Sequence, residues 1–239
     1  MSGHSKWKTI KHKKGKEDAL RAKAFTRISK EIMVVARDGG ADPAHNAKLR
    51  LLIDKARSAN MPKENIERAI KKGSGQLESC NYEQIIYEGY GPEGTAVIVE
   101  TLSDNKNRTV SDLRHYFSKH GGSLAETGAV GWMFEHKGQV ELAQGNKSED
   151  LILELLLECD VDDIKFEEGN IVHVFCAVKE LDHARKKIED LGLAVKSVQI
   201  IWLAKEHVNF TNEAAENIAI TFMEGLEELD DVQNIYTNF

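Results

Sequence analysis

The strongest chemical signal in the chain is a set of cations near its start. Lys6, Lys8, Lys11, Lys13 and Lys14 crowd the opening MSGHSKWKTIKHKKG, which has almost no apolar content and reads as a basic arm. Lys16, Lys23, Lys30 and Arg37 follow at seven-residue spacing, with Arg27 among them. Seven residues are close to two helical turns, so on a helix these side chains form one line about 32 Å long. Glu17, Asp18, Glu31 and Asp38 project away from that line. Such a cationic array suits phosphate, because Lys and Arg release condensed counterions on binding a polyanion. Two aromatic residues accompany it, Trp7 and Phe25, and Phe25 belongs to an apolar stripe. Trp7 is therefore the one stacking candidate, and duplex DNA or structured RNA fits better than unpaired bases. A second, weaker anion site is Lys106 with Arg108, beside a helix start capped by Ser103-Asp104-Asn105, where the helix dipole favours phosphate. The same residues also read as an ordinary cap with solvated charges.

Other chemistries find less support. Gly89-Tyr-Gly91-Pro-Glu-Gly94 spells G-x-G-x-x-G, but a strand-like run follows it and Pro92 sits inside it. The dinucleotide motif needs a helix there, so a hairpin turn is expected. Nine histidines are scattered without metal-ligand spacing, so no metal or cofactor is expected. No nucleophile and base can be paired from spacing, so no catalytic residue is assigned. Glu88, Glu100 and Asp104 are the carboxylates that a metal-dependent nuclease would need to bring together. Glu224, Glu227, Glu228, Asp230 and Asp231 read as a solvated acidic face. Cys80, Cys159 and Cys176 are few and widely spaced, as in a reducing compartment. The Asn-x-Ser/Thr triplets at Asn107, Asn146 and Asn209 are then chance matches.

The 239 residues carry a net charge of −7, which by itself would not suggest nucleic acid. That figure hides a split. Residues 1–76 hold 19 Lys+Arg and 8 Asp+Glu, a net +11, and the remainder nets −18. A basic module is thus joined to acidic ones. No apolar run approaches the roughly 18 residues of a membrane span, and the start lacks the apolar core of a signal peptide.

Three helices must position the basic residues. Leu20, Ala24, Phe25, Ile28, Ile32 and Val35 give a helical period from Lys16 to Asp38, ended by Gly39-Gly40. Asp42-Pro43 reads as a cap and first helical residue for a second helix with Leu49, Leu52, Ile53 and Ala56. Pro62 starts a third, with Ile66, Ala69 and Ile70, and Gly73–Gly75 is the best linker. Beyond it the pattern becomes mixed. A strand is expected at Thr95–Leu102, a helix from the 103–105 cap to Lys119, and a strand at Val130–Phe134. Then strands at 139–143, 161–166, 171–176 and 195–203 alternate with helices at 148–158 and 180–190. That βαββαβ order is ferredoxin-like. A helix at 211–228 and a strand at 232–237 close the chain.

Several motifs resemble the YebC family, bacterial relatives of the mitochondrial translational activator of cytochrome c oxidase. They are Gly3-His4-Ser5-Lys6-Trp7, Lys23-Ala24-Phe25-Thr26, Ile53-Asp54-Lys55-Ala56, Asn60-Met61 and Tyr87-Glu88-Gly89-Tyr90-Gly91-Pro92. Leu102 to Thr109, Gly121 to Val130, and Asp231-Val232-Gln233 continue the likeness in family order along the whole chain. The chain departs from it at Ala125, where the family often has glycine. The resemblance implies an α+β multidomain protein: an N-terminal helical bundle followed by two α/β sandwich domains, the last ferredoxin-like and inserted into the middle one. The expected domains are 1–76, 77–136 with 206–239, and 137–205. It also implies a cytoplasmic, non-enzymatic protein without a small-molecule substrate. Such a protein is either a DNA-binding transcriptional regulator or a ribosome-associated translation factor on ribosomal RNA.

Overall fold

The computed structural model describes residues 17–78 and 81–239, the side chains of 17–20 excepted. One compact unit runs to Glu135 and resumes at Ala204, and the other is His136–Leu203.

The first unit opens with three helices, α1 (Glu17–Gly39), α2 (Ala47–Ser58) and α3 (Lys63–Gly73). Ile28, Ile32 and Ala36, one turn apart on α1, meet Leu49, Ile53 and Ala56 of α2 and Ile66 and Ala69 of α3 in one apolar core. Gly73 is glycine for packing reasons, since a Cβ there would overlap the backbone of Met33. Helix α1 is buried on a second side as well. Lys30 is only 8% exposed and Val34, one turn on, also 8%. Lys30, in the middle of the basic line, therefore does not lie on a solvated face.

The start of α2 differs from the sequence expectation. Asp42 accepts a hydrogen bond from Ala44 N at 2.9 Å and pairs with His45 at 2.7 Å, so residues 43–45 form a turn. The cap is Asn46, whose Oδ1 accepts from Leu49 N at 3.0 Å. Its Nδ2 donates to Val35 O and Gly40 O, tying α2 to the end of α1. Asn46 satisfies both ends of the connection at once, which Asp42 is too far upstream to do.

The same unit holds a sheet of β1 (Glu83–Tyr90), β2 (Ala96–Ser103), β3 (Ser123–Ala125) and β8 (Val232–Thr237), in the order β3-β1-β2-β8 with antiparallel pairing. Helices α4 (Lys106–Lys119) and α7 (Glu213–Glu227) cover one face. Val97, Val99 and Ile235 from the sheet pack there against Leu113, Phe117, Phe222 and Leu226. The glycine run 89–94 is the β1–β2 hairpin turn, with Glu93 and Gly94 both at positive φ. Gly89 leaves room for the Phe117 ring, which a Cβ would meet at 2.6 Å. Ala125 pairs with Glu88 in β3, in extended backbone that needs no glycine. The strand expected at Val130–Phe134 is instead a 3-10 turn, Gly131–Met133, and the strand begins at Phe134.

The second unit is built from β4 (Phe134–Ala143), α5 (Glu149–Leu156), β5 (Asp163–Glu167), β6 (Ile171–Ala177), α6 (Leu181–Asp190) and β7 (Ala194–Ala204). Its sheet order, β5-β6-β4-β7, is the ferredoxin-like one expected from the βαββαβ rhythm. Val140, Leu142, Val172 and Val174 alternate inward and meet Ile152, Leu156 and Ile188 of the helices. The α+β multidomain fold class is borne out.

Candidate nucleic-acid interface

The sequence-derived site divides in three. Lys6, Trp7, Lys8, Lys11, Lys13, Lys14 and Lys16 lie outside the described residues. Lys23, Arg27, Lys30 and Arg37 do share a side of α1, but that side faces the rest of its own unit. Lys23 Nζ meets Glu228 Oε2 at 2.9 Å. Arg27 Nη2 donates to the Glu227 carbonyl, and its Nε is buried with no acceptor. Lys30 Nζ reaches Asp231 Oδ1 at 3.2 Å and the carbonyls of Asp230 and Leu102 at 3.2 and 3.4 Å, with the Tyr82 ring centroid 5.2 Å away. Arg37 pairs with Asp38 at 2.8 Å and donates to Tyr82 O at 2.8 Å and to Asn81 Oδ1. The expected phosphate line is thus held by carboxylates and carbonyls at the C-terminal end of α7 and the start of β8, with the 81–82 segment at its far end. The acidic run read as solvated supplies those acceptors.

Asp231 is the centre of this junction. Its Oδ2 accepts from Thr109 Oγ1 at 2.8 Å, Ser103 Oγ at 2.9 Å and Arg108 Nη2 at 3.0 Å, while Oδ1 takes Lys30. Its backbone O accepts from Leu102 N at 2.9 Å, fixing it beside β2. Burial pushes the carboxyl pKa up, but the donors Arg108, Thr109, Ser103 and Lys30 outweigh it and hold it below the usual aspartate range. The second predicted anion site, Lys106 with Arg108, is the edge of this cluster. Asn105 caps α4 by accepting from Arg108 N at 3.1 Å, and the Arg108 guanidinium bridges Asp104 and Asp231 at 2.9 and 3.0 Å. The anion beside this helix start is the chain's own Asp231. Lys106 is exposed. An open cleft of about 950 Å³ runs along the junction between Lys23, Arg27, Arg108 and Glu228.

Other cations of the bundle face water: Arg21 on α1, Lys48 and Arg57 on α2, and Lys63, Arg68 and Lys71 on α3 are exposed. The regular line drew attention away from them, and only the module's net charge signalled their weight. The three carboxylates weighed for metal chemistry have separate structural duties. Glu88 accepts from the backbone N–H groups of Gly128, Val130 and Gly131 at 2.6–2.7 Å. Burial raises its pKa and these donors more than reverse that, leaving it lowered. Glu100 accepts from Asn234 Nδ2 at 2.9 Å, and Asp104 holds Arg108. Among the described residues no helix is long and apolar enough to cross a membrane.

Comparison with known proteins agrees with this architecture. Residues 5–76 match the TACO1/YebC protein N-terminal domain, and residues 82–239 match the TACO1/YebC second and third domain. A "Probable transcriptional regulatory protein" of Chlorobaculum tepidum is 46% identical, with 100% of this chain and 94% of the relative covered. One from Desulfotalea psychrophila is 48% identical, over 100% and 95%. The crystal structure of a conserved hypothetical protein from Aquifex aeolicus superposes with a TM-score of 0.87 at 43% identity, covering 96% of this chain and 94% of that one. The chain belongs to the TACO1/YebC family.

Proposed function

We propose that the protein is a non-enzymatic, cytoplasmic, nucleic-acid-binding regulator of gene expression, acting on DNA as a transcriptional regulator. The carrying observation is the concentration of a net +11 in residues 1–76, with cations on all three helices exposed to water. Self-repulsion in such a module is relieved by a polyanion. The relatives named as transcriptional regulators support the same reading. The contacts are the arm lysines Lys6, Lys8, Lys11, Lys13 and Lys14 together with the exposed helical cations, and they hold phosphate rather than read bases. Trp7 stands in the arm as the one aromatic contact.

A second reading, a translation factor on ribosomal RNA, gains from one observation. A straight duplex suits a straight line of cations, and the α1 line is largely occupied within the protein. The exposed cations that remain are spread over three helices, a pattern that suits the irregular phosphates of structured RNA. Crosslinking in cells, followed by sequencing of bound DNA and bound RNA, separates the two. The transcriptional reading expects enriched DNA sites. Enrichment of ribosomal RNA with no DNA sites would replace it with the second.

A further inference from the structure

The α1 line loses exposure from Lys23 to Lys30 and regains it at Arg37, whose side chain is 39% exposed. At the outer end, the Lys23 and Glu228 side chains are 23% and 70% exposed. At the inner end, Lys30 and Asp231 are both 10% exposed. Between them Arg27 is poorly matched. Among the described residues its acceptor is a neutral carbonyl, and its Nε is buried without one. A guanidinium makes its best bonds to the paired oxygens of a carboxylate or phosphate, and a buried donor without an acceptor is costly. The outer acceptors, the Glu228 carboxylate and the Glu227 carbonyl, offer what a nucleic-acid backbone offers, anionic and polar oxygens along a helix face. The adjoining cleft is lined by Lys23, Arg27 and Glu228.

We propose that residues 227 and 228 act as an internal substitute for phosphate. They cap Lys23 and Arg27 in the free protein and yield them to a nucleic-acid phosphate on binding, while Lys30–Asp231 stays closed as the anchor. This rests on the nucleic-acid reading above and adds regulation to it. The exchange trades the Lys23–Glu228 pair for a Lys23–phosphate contact and offers the Arg27 guanidinium charged phosphate oxygens in place of one neutral carbonyl. It sets a threshold, since a ligand must engage the exposed cations strongly enough to displace the cap.

The test measures affinity of the full chain for a short fluorescent duplex DNA and a fluorescent ribosomal RNA hairpin across a salt series. Four variants are compared with wild type: Glu228→Gln, Lys23→Ala, their double, and Glu168→Gln as an exposed acid elsewhere. Glu228→Gln is expected to tighten binding about two- to five-fold, the range of an exposed ion pair. The salt slope should stay close to that of wild type, because the same phosphates are engaged in both complexes. The gain should vanish in the Lys23→Ala background. An equal gain from Glu168→Gln, or a gain that survives Lys23→Ala, would mean general charge relief and overturn the cap. If wild type binds a probe while Glu228→Gln changes nothing, the cap is wrong and the nucleic-acid reading stands. If wild type binds neither probe, both fall. Glu228 is largely exposed, and thermal unfolding of each variant checks that the fold is retained.

Discussion

Among the described residues two ion pairs join α1 to the end of α7 and the start of β8, and they differ chiefly in their access to water. Lys23–Glu228 sits at 2.9 Å on the surface, and Lys30–Asp231 at 3.2 Å is buried and surrounded by Ser103, Thr109 and Arg108. The two lysines are seven residues apart on one helix and look equivalent in sequence. Their surroundings give them different work. In water an ion pair is nearly balanced by the hydration it replaces, so Lys23 can change partners at little cost. In the interior, removal of one partner strands the other's charge, so Lys30 is committed. Equal spacing therefore carries both a fixed joint and an exchangeable contact.

The comparison breaks most sharply at Asp231. Asp231→Ala strands Lys30 and removes the acceptor of three other donors. It should cost about 3 kcal/mol, the lower end for a broken buried pair, because a tenth of each side chain keeps its exposure. Denaturant unfolding measures this, and a loss below 1 kcal/mol would place Asp231 with the surface pairs. Lys30→Met should cost less, about 1–2 kcal/mol, because Asp231 keeps its bonds to Arg108, Ser103 and Thr109. If Lys30→Met costs as much as Asp231→Ala, the anchor depends on the ion pair alone.

Acid should separate the two pairs further. The folded Asp231 carboxyl titrates below its ordinary range, so its contribution is fully present above about pH 4 and fades as pH falls through the unfolded value toward the folded one. Glu88 adds a loss of the same sign. Thermal midpoints measured from about pH 6 down to about pH 3 should fall more steeply for wild type than for Asp231→Asn. Parallel curves would deny Asp231 this role. The smallest effect is on the surface: Lys23→Ala should change stability by less than about 1 kcal/mol.

Much of the fold was legible because it follows local periodicity. The stripe of Leu20, Ala24, Phe25, Ile28, Ile32 and Val35 gave α1 to within a residue, and the βαββαβ alternation gave the ferredoxin-like sheet. Strand β1 escaped because Gly89 and Tyr90 at its end read as part of the turn, and β3 is only three residues long. The site was legible in half. Spacing placed Lys23, Arg27, Lys30 and Arg37 on one side of a helix, as observed. Glu227 and Asp231, which accept from Arg27 and Lys30, lie about 200 residues further along the chain, and no local pattern links Lys30 to Asp231 or Arg27 to Glu227. Nor does spacing tell an acidic run that solvates from one that pairs. Only the return of β8 alongside β2 brings them together.

The proposed function rests on phosphate contacts made by the N-terminal module through its arm and its exposed helix cations. The direct measurement is the salt dependence of binding, for wild type and for the chain with Lys6, Lys8, Lys11, Lys13 and Lys14 all changed to Ala. With six to ten contacts, wild-type affinity should fall roughly 10³- to 10⁵-fold between about 50 and 200 mM salt. The slope of log affinity against log salt should shrink by nearly 1 for each arm contact removed, about 4 to 5 in all on a duplex. An unchanged slope after loss of the five lysines, or wild-type binding indifferent to salt, would contradict the account.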